Sequence, residues 1–182
     1  MVVLLVYQLI LFLGYVDGIN FKNAYEKIIK IKNRPFSKPF PIMCANEDQI
    51  KSIAILDDRA EKLIHKFMPG PITLVLKKKD NLPEYVSNGK NTIAVRMATS
   101  KFLENLIMET GCPVFMTSAN RSGESTCTNL DEIEKECPDL DGMTEGNVIF
   151  GNGSTIVDCT LEKIKILREG PISEKNIKNL IN

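Results

Sequence analysis

Hydrophobic positions along the chain change between helical and strand spacing. In residues 57–67, Ala60 and Leu63 belong to an apolar stripe that recurs every three to four residues, as on one helix face. Residues 72–77 and 92–97 are rich in β-branched side chains, as strands are. Helices are predicted at residues 21–31, 57–67, 100–110 and 130–137, and after Asn46 and Ser173. Strands are predicted at residues 42–45, 72–77, 92–97, 113–119, 147–150, 154–159 and 163–169.

Capping residues mark where several of these helices begin. Asn20 is predicted to cap the first helix, because a side-chain oxygen at this position accepts from the helix's free N–H groups. Asn46 with Gln49 three residues later forms a capping-box pattern. Thr99 or Ser100 is predicted to open the helix at residues 100–110.

Proline-rich segments mark where helices end. Residues 33–41, NRPFSKPFP, are predicted to form a loop, and Pro69-Gly70-Pro71 is predicted to end the helix before it. Strands and helices are mixed along the whole length. The sequence therefore predicts one α/β domain over residues 1–182, a mixed sheet with flanking helices.

The N-terminal residues 1–16, MVVLLVYQLILFLGYV, form an unusually long apolar run. The run is shorter than the roughly 20 residues that a membrane-spanning helix needs. It lacks the basic start and the small-residue cleavage site of a secretory signal. We interpret it as a buried strand, with a targeting segment as the alternative.

Composition narrows the class of protein. Hydrophobic residues make up 43% and charged residues 25% of the 182 residues, which excludes a disordered tail, a collagen-like repeat and a multi-span membrane protein. Lys plus Arg and Asp plus Glu both number 23. A net charge of zero disfavours non-specific binding of the nucleic-acid backbone as the protein's only function. It is compatible with a local anion-binding site.

The cysteines indicate a reducing compartment. None of the five lies in a C-x-x-C pattern, so we expect free thiols and a cytoplasmic location. The cysteines are Cys44, Cys112, Cys127, Cys137 and Cys159. His65 is the single histidine, so a zinc site is not expected and no metal-ligating residue is predicted.

Two polar pairs are candidates for ligand binding. Lys32 and Arg34 flank the start of the proline-rich loop, where two cations would suit a polyphosphate. The alternative is that their positive charges only interact with the partial negative charge at the C-terminus of the preceding helix. Ser118 and Asn120 follow an apolar strand, where ligands often bind in α/β sheets. The alternative there is ordinary turn chemistry.

Two arginines occur within or beside apolar strands. Arg96 in TIAVRM either reaches water from the strand edge or contacts a carboxylate or phosphate. The same two alternatives apply to Arg168 in KILREG. Residues 151–155, GNGST, are either a backbone anion nest or a hairpin turn. The chain has neither the Walker pattern nor a Rossmann glycine pattern.

Taken in order, these segments resemble the YrdC-like family, the threonylcarbamoyl-AMP synthases of tRNA modification. The resemblance covers roughly residues 17–172. The matching motifs are Lys32-x-Arg34, RPFSKPFPI, FMPGPITLVL, TIAVRM, SAN followed by RSGES, GSTIVD and ILREG. The resemblance implies a single YrdC-like domain of the short form, with a twisted mixed sheet and a positively charged concave face.

The resemblance also implies an activity. L-threonine, bicarbonate and ATP, with Mg²⁺, would give threonylcarbamoyl-AMP and pyrophosphate, which makes the chain a nucleotidyltransferase. The implied partners are the proteins that transfer the threonylcarbamoyl group to tRNA, with tRNA or double-stranded RNA as possible direct partners and no membrane. A non-catalytic nucleotide- or RNA-binding homologue and a carbamoyl-transferring relative of the hydrogenase-maturation type are the alternatives.

Residue roles follow from the same resemblance. Lys32 and Arg34 resemble triphosphate contacts, and Arg96 resembles a clamp for the threonine carboxylate. The implied catalytic residues are Lys32, Arg34, Ser118 and Asn120. The implied ATP-binding residues are Arg34, Lys38, Thr92, Ser118, Asn120 and Arg168. The implied threonine-binding residues are Arg96 and Ser154.

One segment departs from the family pattern. The family opens with a strand and a loop of the type P-T-[DE]-T-x-Y-G-L, which lines the threonine pocket. By spacing from Lys32 this loop should fall at residues 6–14, which read VYQLILFLG. The proline, the threonines and the acidic residue are missing, so a degenerate paralogue, an altered start and a reading-frame error are the alternatives to an intact enzyme.

Overall fold

Helices and strands are mixed along the described part of the chain, as the sequence predicted. The structure is a computed structural model, and it describes residues 5–8, 13–35, 37–118, 120, 122–123, 130–136, 142–143 and 153–181. The helices are α1 (Lys22–Lys32), α2 (Glu47–Ile53), α3 (Asp58–Phe67), α4 (Glu84–Ser87), α5 (Lys101–Glu109), α6 (Leu130–Glu136) and α7 (Glu174–Ile181). The strands are β1 (Leu5–Gln8), β2 (Leu13–Gly18), β3 (Ile42–Cys44), β4 (Ala54–Ile55), β5 (Ile72–Lys78), β6 (Thr92–Met97), β7 (Val114–Ser118), β8 (Gly142–Met143), β9 (Thr155–Asp158) and β10 (Lys165–Arg168).

The strands of the described part of the chain join one ten-stranded sheet. Its order is β10-β9-β5-β6-β3-β7-β2-β1-β8, with β4 paired to β5. The pairs β3–β6, β5–β9 and β1–β8 are parallel, and the other neighbouring pairs are antiparallel. The predicted mixed sheet is thus confirmed.

Cross-strand register assigns the side chains of the central strands to two faces. Leu74, Val95, Ile42 and Phe115 lie opposite one another across β5, β6, β3 and β7, and all are fully buried. Burial of each such side chain contributes about 1.5–3 kcal/mol. Helices cover this face with Tyr25 and Ile28 of α1, Leu63 and Ile64 of α3, and Ile177 of α7.

The opposite face of the sheet is only partly covered. Over β3 and β7, Met43 and Val114 pack against Leu103 of α5. Over β5, β6 and β9 the same face stays partly exposed, and we call this region the open face. It is defined by Val75, Thr92, Ala94 and Ile156.

Most of the predicted caps are present. Asn46 accepts from the backbone N–H of Gln49 at 3.0 Å, and Ser100 accepts from Leu103 at 3.2 Å. Ser173 likewise accepts from the backbone N–H of Asn176 at 3.3 Å.

The prediction that Asn20 caps α1 is wrong. The backbone N–H of Ile19 still donates to Pro113 O at 2.9 Å, so the chain is still hydrogen-bonded to the residue before β7 at this point. The helix begins after Phe21, which makes no side-chain cap.

The N-terminal run forms two strands where we predicted one. A strand of sixteen residues would be about 50 Å long, far beyond the width of a small domain. Instead β1 and β2 form an antiparallel pair, with Leu5 opposite Val16, and β2 pairs with β7. The strand predicted at residues 147–150 lies outside the described residues.

Two further features bear on the class of protein. Cys44, Cys112 and Cys159 are free and buried, and Cys127 and Cys137 lie outside the described residues. Among the helices that the structure describes, none is long and apolar enough to cross a membrane.

Candidate functional site

The last residue of α1 reaches the loop that follows β7. Lys32 is 1% exposed. Its Nζ donates to Ser118 O at 2.5 Å, to Asn120 O at 2.7 Å and to Asn120 Oδ1 at 2.8 Å. The hydroxyl of Ser118 lies 2.6 Å from the same Asn120 Oδ1. We call Lys32, Ser118 and Asn120 the Lys32 cluster.

Arg34 leaves α1 in a different direction from Lys32. Asn33 adopts a left-handed conformation, with φ of 47°, and this ends the helix. The Arg34 guanidinium then donates to Lys38 O at 2.7 Å and Pro39 O at 3.2 Å, and lies 4.9 Å from the centre of the Phe40 ring. Partial burial lowers the pKa of Arg34. Lys32 and Arg34 therefore engage separate sets of acceptors.

The proline-rich loop is also tied to the segment before β6. Lys90 Nζ donates to Ser37 O at 2.9 Å. Thr92 begins β6 two residues later and lies on the open face opposite Lys77. Lys38 is exposed at the surface of this loop. Lys38 and Thr92 are thus on neighbouring segments, as two ATP contacts would require.

A second cluster forms where β9 begins and β10 ends. Arg168 donates to Ser154 O through Nε at 2.9 Å and through Nη2 at 2.7 Å. The same Nη2 lies 3.3 Å from Ser154 Oγ, which in turn lies 2.6 Å from Thr73 Oγ1. Ser154 and Thr73 are 3% and 2% exposed, so this hydrogen-bonded pair is shielded from water.

Arg96 completes this second group, the arginine cluster. It is 5% exposed, and its buried Nε has no hydrogen-bond partner among the described residues. Burial, and then the nearby positive charge of Arg168, lowers the pKa of Arg96 to about 10. In the described chain neither guanidinium forms an ion pair with a carboxylate. A buried guanidinium with an unpaired N–H is costly, and an anionic ligand would supply the missing acceptor.

The two clusters lie apart on the sheet, the arginine cluster beside the open face and the Lys32 cluster at the end of β7. Arg96 is opposite Met43, and Met43 is opposite Val114, the first residue of β7. Ser118 is the last residue of β7 and, four positions on, lies on the same face about 13 Å away along the strand. Six of the sequence-predicted residues therefore form two separate groups, while Arg34, Lys38 and Thr92 lie in neither group.

Thr73 is a residue of the candidate site that sequence reasoning did not single out, and Gly153 was noted there only as part of the segment at residues 151–155. Thr73 is the polar residue in the apolar strand ITLVL, and this is the signal that would have found it. Gly153 is a glycine because a Cβ there would lie 2.6 Å from Arg168 Nη2. In the segment that we interpreted as a nest or a hairpin, Gly153 leaves room for the Arg168 guanidinium and Ser154 accepts hydrogen bonds from it.

Comparisons with known proteins agree with the motif order. A family model described as telomere recombination, Sua5_yciO_yrdC, matches residues 16–170. A putative threonylcarbamoyl-AMP synthase of Methanocaldococcus jannaschii is 36% identical over 153 residues, which is 83% of this chain and 72% of the relative. The threonylcarbamoyl-AMP synthase of Pyrococcus abyssi is 32% identical over 167 residues, 88% of this chain and 48% of the relative.

A solved structure shares the fold. P. abyssi Sua5 complexed with L-threonine superimposes with a TM-score of 0.90 at 29% identity, covering 98% of this chain and 53% of that one. The chain thus spans about half the length of the P. abyssi protein. The resemblance drawn from the motifs is confirmed: with most of its length matched by the family model, the chain belongs to the Sua5/YciO/YrdC family.

Proposed function

We propose that this chain makes threonylcarbamoyl-AMP from L-threonine, bicarbonate and ATP. The observation that carries the proposal is the arginine cluster, in which the buried Nε of Arg96 has no hydrogen-bond partner among the described residues and Arg168 lies nearby. An amino-acid carboxylate is an anion suited to such a site. The relatives that share the fold and bear the synthase name support this choice over a non-catalytic homologue.

The chemistry needs positioning and charge neutralisation from the protein. The threonine amine and bicarbonate give a carbamate and one water. A carbamate oxygen then attacks the α-phosphorus of ATP, and pyrophosphate leaves, which is a nucleotidyl transfer. Both reacting groups are anionic, so cations and N–H donors held in place lower the barrier most.

Each end of the open face serves one substrate in this proposal. Arg96 holds the threonine carboxylate and Ser154 contacts the amino acid. ATP lies toward the other end of the face. Its contacts are Arg34, Lys38, Thr92, Ser118 and Asn120, and Arg168 contacts it from the arginine cluster.

Mg²⁺ would enter this site with ATP, and phosphate oxygens and water would supply most of its ligands. Among the described residues there is no group of three His, Cys, Asp or Glu side chains that would hold a metal. Asn120 Oδ1 already accepts from Lys32 and Ser118, which makes it a poor ligand. The ion usually keeps several waters and few protein ligands, so this donor set fits it only as part of the nucleotide complex.

The product has a defined destination. Threonylcarbamoyl-AMP is a reactive mixed anhydride, so it would pass to proteins that transfer the group to tRNA. Direct binding of tRNA or double-stranded RNA is a secondary possibility, because the chain has no net positive charge. The cytoplasmic location stays a prediction.

Turnover of the purified chain tests the proposal. With L-threonine, labelled bicarbonate and Mg–ATP, we expect labelled threonylcarbamoyl-AMP and one pyrophosphate per product, and neither when threonine is omitted. Arg34→Ala should cost about 1.5–3 kcal/mol of ATP binding or transition-state stabilisation. Tight ATP binding without pyrophosphate release under complete conditions would favour the non-catalytic alternative.

A further inference from the structure

We infer that Thr155 is a positioning residue for Arg168. A one-residue bulge at Leu167 turns the Arg168 side chain to the open face, and the buried hydroxyl of Thr155 holds the chain that leaves this bulge. ATP enters this inference only as the ligand of Arg168, and in that respect the inference rests on the proposed function.

The pairing of β10 with β9 contains the bulge. Ile166 lies opposite Val157, and the next paired residue is Arg168, which lies opposite Ile156. Leu167 is therefore an extra residue of β10, and its side chain is 50% exposed. One extra residue shifts the register by one position, and such a shift exchanges the two faces of a strand.

The bulge decides which face of the sheet Arg168 occupies. In regular pairing Arg168 would lie opposite Thr155, which is paired with Ile72 on the covered face and is fully buried. A guanidinium in that position would lose its hydration, which is costly. With the bulge, Arg168 shares the open face with Ile156, and its guanidinium reaches Ser154 O.

Thr155 holds the segment that follows the bulge. Its hydroxyl donates to Ile172 O at 2.7 Å, and it accepts from the backbone N–H of Gly170 at 2.9 Å and of Ile172 at 3.1 Å. A hydroxyl has one donor and two acceptor positions, so all three are used within the protein. Because the side chain is 0% exposed, it acts on a ligand only through other residues.

The two segments approach each other too closely for a side chain between them. A Cβ on Gly170 would lie 2.6 Å from Thr155 N. Gly170 follows Arg168 by two residues, so the chain is fixed at Arg168 by pairing with β9 and again at Gly170 by the Thr155 hydroxyl. Loss of that hydroxyl should release the second point and let the guanidinium leave Ser154.

Thr155→Val tests the inference, with Thr160→Val as the matched control. Valine keeps the shape of the side chain and removes the hydroxyl. Thr160 follows the other end of β9, where its hydroxyl donates to Asp158 Oδ1 at 2.6 Å. By calorimetry, Thr155→Val should weaken ATP binding at least fivefold, Thr155→Ser should stay within twofold of the wild type, and Thr160→Val should leave the affinity unchanged. Unchanged affinity in Thr155→Val, equal losses in both valine variants, or no rescue by serine would overturn the inference.

A double-mutant cycle measures whether Thr155 acts through Arg168. If it does, Thr155→Val should cost less than twofold in ATP affinity when Arg168→Met is already present. Full multiplication of the two losses would mean that Thr155 affects the ATP site by another route, which would contradict the inference.

NMR of the ligand-free, unmodified protein separates this inference from the proposed function and needs no variant to fold. The Thr155 hydroxyl proton should exchange slowly with water and show nuclear Overhauser contacts to the amides of Gly170 and Ile172. The Arg168 side chain should show such contacts to Ile156. A hydroxyl proton that exchanges too fast to observe, or contacts from Arg168 to the covered face, would overturn the inference. A chain that passes these tests but binds no ATP would defeat the proposed function and still support the placement of Arg168 by the bulge and Thr155.

Discussion

The hydroxyl oxygens of Thr73 and Ser154 lie 2.6 Å apart on adjacent strands, and both side chains are buried. Ser154 Oγ also accepts from Arg168 at 3.3 Å. If Thr73 donates to Ser154, the Ser154 hydroxyl keeps its own proton for a ligand. Thr73 is thus placed to set the direction of the Ser154 hydroxyl without touching the substrate itself.

Thr73→Val should separate binding of the two substrates. The substitution keeps the shape and removes the hydroxyl, so Ser154 loses a buried partner at a cost of about 1–3 kcal/mol of unfolding free energy. We expect a KM for L-threonine raised at least fivefold and a KM for ATP unchanged. Thr73→Ser, which restores the hydroxyl, should recover threonine binding. Equal rises in both KM values would mean that the whole sheet edge is disturbed.

Arg96→Met should weaken ligand binding without destabilising the ligand-free fold. The Arg96 guanidinium is buried without a partner for Nε, so removing the charge removes an unfavourable term from the ligand-free fold. We expect a thermal midpoint equal to or above the wild type, with L-threonine affinity reduced at least tenfold. Arg59→Met is the contrasting control, because Arg59 is paired with Asp57 and should lose stability on substitution.

The pH dependence of the stability difference between Arg96→Met and the wild type follows from the pKa of Arg96. Burial lowers the pKa of Arg96 to about 10, below its value in the unfolded chain. Below this pH both states are protonated, so the penalty is constant, and it fades only as pH rises through the folded-state pKa. The stability difference between Arg96→Met and the wild type should therefore be flat from about pH 6 to 9. Denaturant unfolding across that range would contradict this if the difference changed by more than about 1 kcal/mol.

Gly153→Ala and Gly170→Ala should have opposite effects on function and stability. A Cβ on Gly153 would meet the guanidinium of Arg168 at 2.6 Å, and a flexible side chain can move away. A Cβ on Gly170 would lie 2.5 Å from Gly153 O and 2.6 Å from Thr155 N. These are backbone atoms, which cannot move away as a flexible side chain can. We expect Gly153→Ala to fold normally and to lose ATP affinity, and Gly170→Ala to lower the thermal midpoint. A normal ATP affinity in Gly153→Ala would show that Arg168 does not contact the nucleotide.

Local signals in the sequence were enough for most of the elements. The strand at Thr92–Met97 and the caps at Asn46 and Ser100 depend on residues a few positions apart, so propensity and capping predict them. Asn20 failed as a cap because a long-range bond from Ile19 to Pro113 delays the start of the helix. Such a bond has no local signature.

The site was only partly predictable for the same reason. Arg96 stood out as a charge in an apolar strand, and the structure shows it buried without a partner for Nε. The spacing of Lys32 and Arg34 indicated one shared polyphosphate site, but their acceptors come from different segments. Sequence spacing cannot tell which carbonyl a long side chain will meet across the fold.

The last prediction concerns the threonine pocket, where this sequence departs from its family. Residues 6–14 lack the proline, threonines and acidic residue of the family loop, and the described parts of this region pair as β1 and β2. The residues that we propose as ATP contacts lie in other segments, so ATP should bind. Threonine should bind weakly, because polar recognition needs every buried partner, and its preference over L-serine should fall below about tenfold.

Calorimetry with both ligands on the purified chain checks this expectation. ATP should give a saturating isotherm, and L-threonine should give weak heats that L-serine nearly matches, with poor stimulation of pyrophosphate release. Tight and selective threonine binding would show instead that Arg96 and Ser154 suffice for the pocket. The missing loop would then be dispensable, because the buried guanidinium and the Thr73–Ser154 hydroxyl pair would be supplying the specificity from the sheet itself.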